Sequence, residues 1–382
     1  MYSVQSYGQM ITDQVRMEPY VEALRRVIGP EKTVLDIGSG TGIIALLACQ
    51  MGARHVYAIE PASAIEVARE VVAANGYADR VTFYQELSTK VNLPEPADIM
   101  ISDLRGVLPL LQHHIPSIVD ARQRLLKPAG VQIPQRDTLW AAVVSSEKLY
   151  EPYTAPWTEN PYGLNMRAGS RIVVNTWRKV RIEPEHILCP PQQWTTLDYT
   201  STTSPNVSHA LTWTVEDAGT GHGLGVWFDT ELLDGIGFSS GPGLPEVIYG
   251  MAFFPWQEPV VLEPGDQVTV RLEANLVVDD YIWRWSMQVL GQGNEGHVKA
   301  DFRQSTFWGV PLTPQSLMKR ADHFVPSLNE DGRLVRFVLE QMDSGLSLRE
   351  IAVQLSERFP HRFGTWNAAL SRVSDLSEKY SQ

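Results

Sequence analysis

The stretch "VLDIGSGTGIIALLACQMGARHVYAIEP", Val34 to Pro61, decides the fold. "VLDI" is a short β-rich run that ends in Gly38, Gly40 and Gly42. "GIIALLACQMGA" follows with helical spacing, and "HVYAIEP" reads as a second strand. Glycines between a strand and a helix permit a tight turn and let backbone approach a ligand closely. Glu60 lies 18 residues beyond Gly42, at the end of the second strand. In a doubly wound sheet an acid there can accept hydrogen bonds from both ribose hydroxyls. The motif has the form GxGxG, lacks the helix-opening third glycine of a dinucleotide fingerprint, and follows Asp36. That points away from a dinucleotide and toward S-adenosyl-L-methionine. This cofactor carries a sulfonium and an amino-acid tail, and no pyrophosphate to sit on a helix N-terminus. The blander reading is a glycine turn whose strand-end acid only caps a helix.

Working outward, "AIEVAREVVAANGY" reads as a helix, "VTFYQE" as a third strand and "ADIMISD" as a fourth, followed by a helix through "SIVDARQRLLKPAG". Strands alternating with helices imply a parallel, doubly wound sheet over residues 1–133. Residues 134–318 are rich in proline, glycine, tryptophan and β-branched residues. Runs such as "DQVTVRLEANLVV" and "YIWRWSMQVL" alternate as antiparallel strands do, which predicts a β-sandwich or barrel. Residues 319–382 read as helix, glycine turn and helix, with Ser347 as an N-cap before "LREIAVQL", and then a further helix. The expected class is therefore α/β plus β: a Rossmann-like domain, a β domain and a small helical domain.

The 382 residues are 43% hydrophobic and 20% charged, an ordinary globular composition. The formal net charge of -12 opposes binding to nucleic-acid phosphates. No run approaches about 18 apolar residues, so no membrane span is expected. The first ten residues lack the pattern of a secretory signal. Cys49 and Cys189 form neither a metal spacing nor a disulfide framework, and the cytoplasm is the simplest location. The pair His113–His114 projects onto different helix faces, which is poor metal geometry, and no metal is expected.

Several blocks, in one order, resemble the protein arginine methyltransferases over about residues 5–310. These are "QMITDQVRMEPYVEAL", the glycine block, "DIMISDLRG", "SIVDARQRLLKPAGVQIP", "WTENPYGLNM", and "GIGFSSGP" followed by "FFPWQEPVVL". The resemblance implies a cofactor domain, a β-barrel and a homodimer whose arm falls near residues 167–200. It implies cofactor contacts from Met10, Arg16, Asp36, Gly38, Ser39, Gly40, Thr41, Gly42, Glu60, Pro61, Glu86 and Asp103. It places the first of the family's two loop acids on Asp103, the second on Gln112, and the Thr-His-Trp loop on Phe254, Pro255 and Trp256. Asp103, Gln112 and Trp256 are accordingly the expected catalytic positions. The N-terminal histidine of the family motif falls on Tyr7. "DSGLSLREIAVQLSERFP" with "LSRVSDLSEKY" is similar to PqqD-like winged-helix domains.

The departures bear on chemistry. A guanidinium is charged at ordinary pH and its lone pairs are delocalised. Two carboxylates can clamp it and free one nitrogen for attack. Here Asp103 supplies one charge and Gln112 supplies none. Losing one carboxylate about 4 Å from a cation removes on the order of 4 kcal/mol of attraction at an effective dielectric of 20. Asp279, Asp280 and Glu159 are possible replacements. Arg105 would repel a cationic substrate, grip a carboxylate, or face solvent. Tyr281, Trp283, Trp285 and Trp256 would be core or a cation cage. The expected function is N-methyl transfer to an arginine or related nitrogen of a protein or peptide. A changed acceptor (small amine, amino acid or natural-product precursor) and a non-catalytic binding module are the alternatives.

Overall fold

The computed structural model describes residues 3–292 and 297–381. The chain forms two compact units, Met1–Pro311 and Leu312–Gln382.

The first unit begins with α1 (Val4–Thr12) and α2 (Gln14–Val27). Asp13 stands between them and caps α2, its Oδ1 accepting from the Arg16 amide at 3.1 Å. A parallel sheet follows from β1 (Thr33–Ile37), β2 (His55–Ile59), β3 (Val81–Tyr84), β4 (Ala97–Ser102) and β5 (Leu126–Ile133). Its order is β3-β2-β1-β4-β5. Helices α3 (Ile43–Gln50), α4 (Ala64–Ala74) and α5 (His114–Arg124) connect the strands. β1 is buried along its whole length, as expected of a parallel strand covered on both faces. The α/β reading of this half agrees with the structure.

The rest of the first unit is mainly antiparallel. It holds β6 (Arg136–Val144), α6 (Glu147–Thr158), α7 (Ser170–Val173), β7 (Arg178–Val180), β8 (Gln192–Asp198) and β9 (Val207–Thr214). β10 (Gly219–Leu233), β11 (Ile236–Ser239), β12 (Met251–Leu262), β13 (Gln267–Val277), β14 (Asp280–Leu290) and β15 (Val298–Ser305) complete it. One sheet has the order β7-β12-β10-β6-β8 with β11 paired to β10, and the other is β15-β14-β13-β9. Burial alternates residue by residue along β14, as the sequence pattern predicts.

Among the described residues no backbone ladder closes these sheets into a barrel. The closed barrel implied by the resemblance is thus corrected to two facing sheets. Indole N–H groups bridge them in place of a ladder. Trp285 Nε1 donates to the Pro255 carbonyl at 3.0 Å, and Trp194 Nε1 donates to the Leu272 carbonyl at 3.2 Å. Pro255 has no N–H to offer a ladder, and the β10–β12 register shifts between Gly221 and Gly223, the residue opposite it. Tyr281, Trp283, Trp285 and Trp256 are all core residues, so the cage reading falls.

The stretch 167–200, near which the resemblance puts the arm, holds several separate elements. β7 and β8, within it, are strands of the six-stranded sheet. The exposed apolar side chains lie just upstream, at Tyr162, Leu164 and Met166.

The second unit contains α8 (Pro314–Met318), α9 (Glu330–Asp343), α10 (Leu348–Arg358) and α11 (Trp366–Tyr380). Ser347 caps α10 in a full capping box with Glu350, as its position before "LREIAVQL" suggested. Leu334, Val338, Ile351, Leu355 and Val373 form its core. Its regular elements are helices throughout, and no β-wing is present among the described residues. No helix of the structure is long and apolar enough to cross a membrane, among the described residues.

Trp285 is fully buried and holds one sheet to the other. Trp285→Ala should destabilise the first unit by about 3–5 kcal/mol. A lowered urea midpoint with near-UV circular dichroism as the probe would register it; an unchanged midpoint would remove Trp285 from the joint between the sheets.

Candidate active site

The order of the parallel sheet reverses between β1 and β4, which are neighbours with Ile37 opposite Ser102. A crevice opens at the carboxyl ends of strands at such a switch point. The glycine loop leaves β1 there, and the loop bearing Asp103 leaves β4.

Gly38, Gly40 and Gly42 all have positive φ, at 77°, 53° and 84°. Side chains disfavour that conformation, and space forbids them as well. A Cβ at Gly40 would collide with the Tyr7 ring, and one at Gly38 with the Leu104 side chain. The α1 residue Tyr7 therefore lies over the glycine loop. The Gly38 and Ser39 amides both donate to the Ile59 carbonyl, at 2.8 and 3.1 Å. Ser39 Oγ donates to the Asp36 carbonyl at 3.0 Å, and Thr41 is buried beside it.

Glu60 is buried at the end of β2, with Oε2 accepting from the Gly40 amide at 3.0 Å and Oε1 from the Ala62 amide at 2.9 Å. Pro61 is exposed at the rim. Asp36 is buried, and its Oδ2 has no hydrogen-bond partner. Burial, and next the Glu60 charge, push its carboxyl up to about 7. A glycine cradle between two acids, one with an unanswered oxygen, fits a ligand that brings both hydroxyls and positive charge. S-adenosyl-L-methionine has both, and Gly38 to Gly42, Glu60 and Asp36 would hold it. Glu86 does not turn into this cradle. It is exposed, accepts from the Leu87 amide at 2.8 Å, and pairs with Lys90 at 3.4 Å.

The acid loop gathers two arginines and a tyrosine hydroxyl around one carboxylate. Arg16, on α2, donates to Asp103 Oδ2 through Nε at 2.9 Å and Nη2 at 2.6 Å. Its Nη1 donates to the Met10 carbonyl at 3.2 Å, so these two expected cofactor residues are joined. Tyr249 donates its hydroxyl to the same Oδ2 at 2.6 Å. Arg105 Nε donates to Asp103 Oδ1 at 3.0 Å. Burial alone would raise the Asp103 carboxyl, but the Arg105 and Arg16 guanidinium groups outweigh it and hold it well below the usual carboxylate range.

Arg105 does not face solvent. Its side chain is fully buried. Nη1 donates to Asp137 Oδ1 at 3.0 Å and Thr230 Oγ1 at 2.6 Å, and Nη2 donates to the Tyr20 hydroxyl at 2.6 Å. Asp137 Oδ2 in turn accepts from the Tyr199 hydroxyl at 2.5 Å.

The remaining expected positions lie elsewhere. Gln112 is exposed, in the left-handed region at φ 42°. His113 meets Asp279 at 3.1 Å on the outside. His114 is buried rather than on the surface; Nδ1 lies 2.6 Å from the Pro109 carbonyl, and burial lowers its pKa. Asp279, Asp280 and Glu159 are all exposed, and none is among the groups bonded to Asp103. Trp256 is fully buried in β12, where its Nε1 has no partner, and it makes none of the hydrogen bonds to Asp103. The loop before β12 supplies that contact instead. Tyr249 reaches Asp103, and the neighbouring Ile248 amide donates to Asp13 Oδ2 at 2.7 Å. Tyr249, Asp137, Tyr20 and Asp13 were missed in the sequence. "EVIYG" offered one signal, a tyrosine before a glycine that adopts φ 64°.

The fold and cradle define a class I methyltransferase, the class whose cofactor is S-adenosyl-L-methionine. Residues 19–134 match the family model of the ribosomal protein L11 methyltransferase, and residues 135–288 match the arginine methyltransferase oligomerization subdomain. The chain is 31% identical to human protein arginine N-methyltransferase 2 over 309 residues, 74% of this chain and 70% of that protein. It belongs to the protein arginine methyltransferase family. It is also 29% identical to the arginine N(omega)-methyltransferase of Streptomyces achromogenes subsp. streptozoticus, over 69% of this chain and 74% of that one. Similarity to the probable protein arginine N-methyltransferase 6 of Arabidopsis thaliana is 35% over 42% of this chain, which spans only 38% of that protein. Among solved structures, the Trypanosoma brucei PRMT1 enzyme-prozyme complex with AdoHcy shares the fold at TM-score 0.70 and 21% identity, covering 78% of this chain and 96% of that one.

The raised Asp36 carboxyl has two consequences of known sign. It ionises near 3.9 in the unfolded chain and about 7 in the folded one. Its neutral form therefore contributes stability that is full below about 3.9 and lost as pH rises through 7. A cationic ligand favours the ionised form, so S-adenosylmethionine affinity should climb from pH 6 to 8, by up to about tenfold per unit below 7. Calorimetry on wild type and Asp36→Asn checks this. The variant's affinity should be flat over that range, and a wild-type affinity flat with pH would show that Asp36 stays in one ionisation state.

Proposed function

We propose that the chain is an S-adenosyl-L-methionine-dependent N-methyltransferase whose acceptor nitrogen is held at Asp103. The observation that carries this reading is an ionised, half-buried carboxylate at the end of β4, across the switch point from the glycine cradle. When bound, the cofactor supplies a methyl group already activated on a sulfonium. The residues of the chain then have mainly to position. Glu60 would take the ribose hydroxyls, the Tyr7 ring covers the loop, and Arg16 ties the Met10 carbonyl of α1 to Asp103. Tyr249 fixes the rotation of the Asp103 carboxylate through its 2.6 Å hydrogen bond.

Two acceptor readings are open to this site. The names of the relatives support an arginine nitrogen, carried on a protein or peptide. A changed acceptor, such as a small amine, an amino acid or a natural-product precursor, is favoured by the exposed and uncharged Gln112. We also infer a homodimer, supported by the match to the oligomerization subdomain and by the exposed Tyr162, Leu164 and Met166. The buried, unpaired Cys49 and Cys189 support a reducing, cytoplasmic location.

Tritiated methyl transfer to a panel of peptides and small amines tests the activity. Asp103→Asn should lower transfer to any labelled acceptor by about 100-fold or more, and Glu60→Ala should abolish micromolar cofactor binding in the calorimeter. Full transfer by Asp103→Asn would remove Asp103 from the chemistry. Light scattering on Tyr162→Ser with Leu164→Ser should show the dimer mass halved; an unchanged dimer would acquit that segment.

A further inference from the structure

We propose that Arg105 determines the specificity of the acceptor site by closing it to guanidinium groups, so that the acceptor is an amine nitrogen that arrives uncharged. This rests on the methyltransferase reading above and narrows it.

An ionised carboxylate offers about four lone-pair sites. Asp103 meets four donors: Arg16 Nε, Arg16 Nη2 and the Tyr249 hydroxyl on Oδ2, and Arg105 Nε on Oδ1. Oδ2 is saturated, and Oδ1 keeps one open site, beside the Arg105 Nε–H. Were Arg16 to turn toward a cofactor carboxylate, two sites would open, but Arg105 would stay. Its side chain has no exposed area, and neither does that of its second anchor, Asp137. Thr230 and Tyr20 take two more of its five N–H groups. The rings of Phe228, Phe238 and Tyr249 lie 5.6, 5.5 and 5.4 Å from its guanidinium carbon. Two carboxylates, two hydroxyls and three aromatic faces surround this guanidinium. The occupant is a residue of the chain itself.

A second guanidinium entering beside Asp103 would share one carboxylate with a fixed like charge. Gln112 adds no charge to offset it. A guanidinium cannot shed its proton to avoid this repulsion. An amine can. An α-amino group ionises near 7.7–8.0, so a large fraction is neutral at pH 8. Its lone pair forms the new N–C bond to the methyl carbon as the C–S bond breaks, with that pair passing to sulfur. The methylated ammonium then releases its proton to solvent.

The test uses the full chain at pH 8, tritium-labelled S-adenosylmethionine and two peptides. One is N-acetylated and carries arginine–glycine repeats; the other lacks arginine and has a free α-amino end. Wild type should label only the second. Arg105→Met with Gln112→Glu should raise labelling of the arginine peptide at least tenfold, whereas Arg105→Lys, which keeps the charge, should not. Calorimetry with S-adenosylhomocysteine present should show the arginine peptide binding to that double variant and not to wild type. Because Arg105→Met strands Asp137, the same pair combined with Asp137→Asn provides a second form, accepted once it melts cooperatively. Labelling of the arginine peptide by wild type as strong as that of the amine peptide overturns the inference. So does the lack of any gain in arginine binding or labelling by a cooperatively melting variant. Absence of S-adenosylmethionine binding to wild type instead overturns the methyltransferase reading on which the inference rests.

Discussion

The ion pair between Arg105 and Asp137, 3.0 Å long and wholly out of solvent, is the constraint on which the rest of the site depends. A buried pair of this kind gains little net stability over an apolar pair of the same shape, but breaking it by removing one partner is costly, about 3–5 kcal/mol. Its value here is geometric. Arg105 belongs to the loop after β4, Asp137 to β6, Thr230 to β10 and Tyr20 to α2. Residues of β6, β10 and α2, with Asp103 of the same loop as Arg105, must converge for four of the five Arg105 N–H groups to be satisfied. The parallel sheet and the six-stranded sheet therefore meet in one register, and Asp103, two residues away, is fixed with them.

The charge balance around Asp103 follows. Two arginines and one tyrosine hydroxyl surround a single carboxylate, so ionisation is secure and basicity is low. Such a group orients and attracts better than it removes protons. The contrast with Asp36, across the crevice, is set by environment alone. Asp36 has no cation beside it and faces another acid, and its carboxyl rises where that of Asp103 falls. One crevice thus holds two aspartates of opposite tendency.

The cofactor half was legible in the sequence because its signal is local. Gly38, Gly40, Gly42 and Glu60 lie within one strand–turn–helix–strand unit, and a positive φ demands glycine wherever it occurs. The acceptor half was less legible because its partners are distant. Nothing near "DLRG" says that Arg105 turns inward, since Asp137, Thr230 and Tyr20 stand 32, 125 and 85 residues away. The resemblance puts the Thr-His-Trp loop on Phe254 to Trp256 because Trp256 matches its tryptophan. Burial in β12 takes that tryptophan out of reach, and the contact falls to Tyr249. Sheet closure was likewise beyond the sequence. Alternation reveals that strands are half-buried, but whether two sheet edges meet depends on bulges and on prolines such as Pro255.

Asp13 joins two things usually considered apart. One of its oxygens caps α2 at the Arg16 amide, and the other holds the Ile248 amide next to Tyr249. Arg16 and Tyr249 both donate to Asp103 Oδ2, and Arg16 Nε lies 3.0 Å from the Tyr249 hydroxyl. A shift of α2 must therefore move, or be resisted by, the loop that carries Tyr249. Binding free energies coupled in this way are reciprocal. Whatever factor a ligand held by one of these elements imposes on the affinity for a ligand held by the other, the reverse factor equals it, and a single carboxylate joins the two elements.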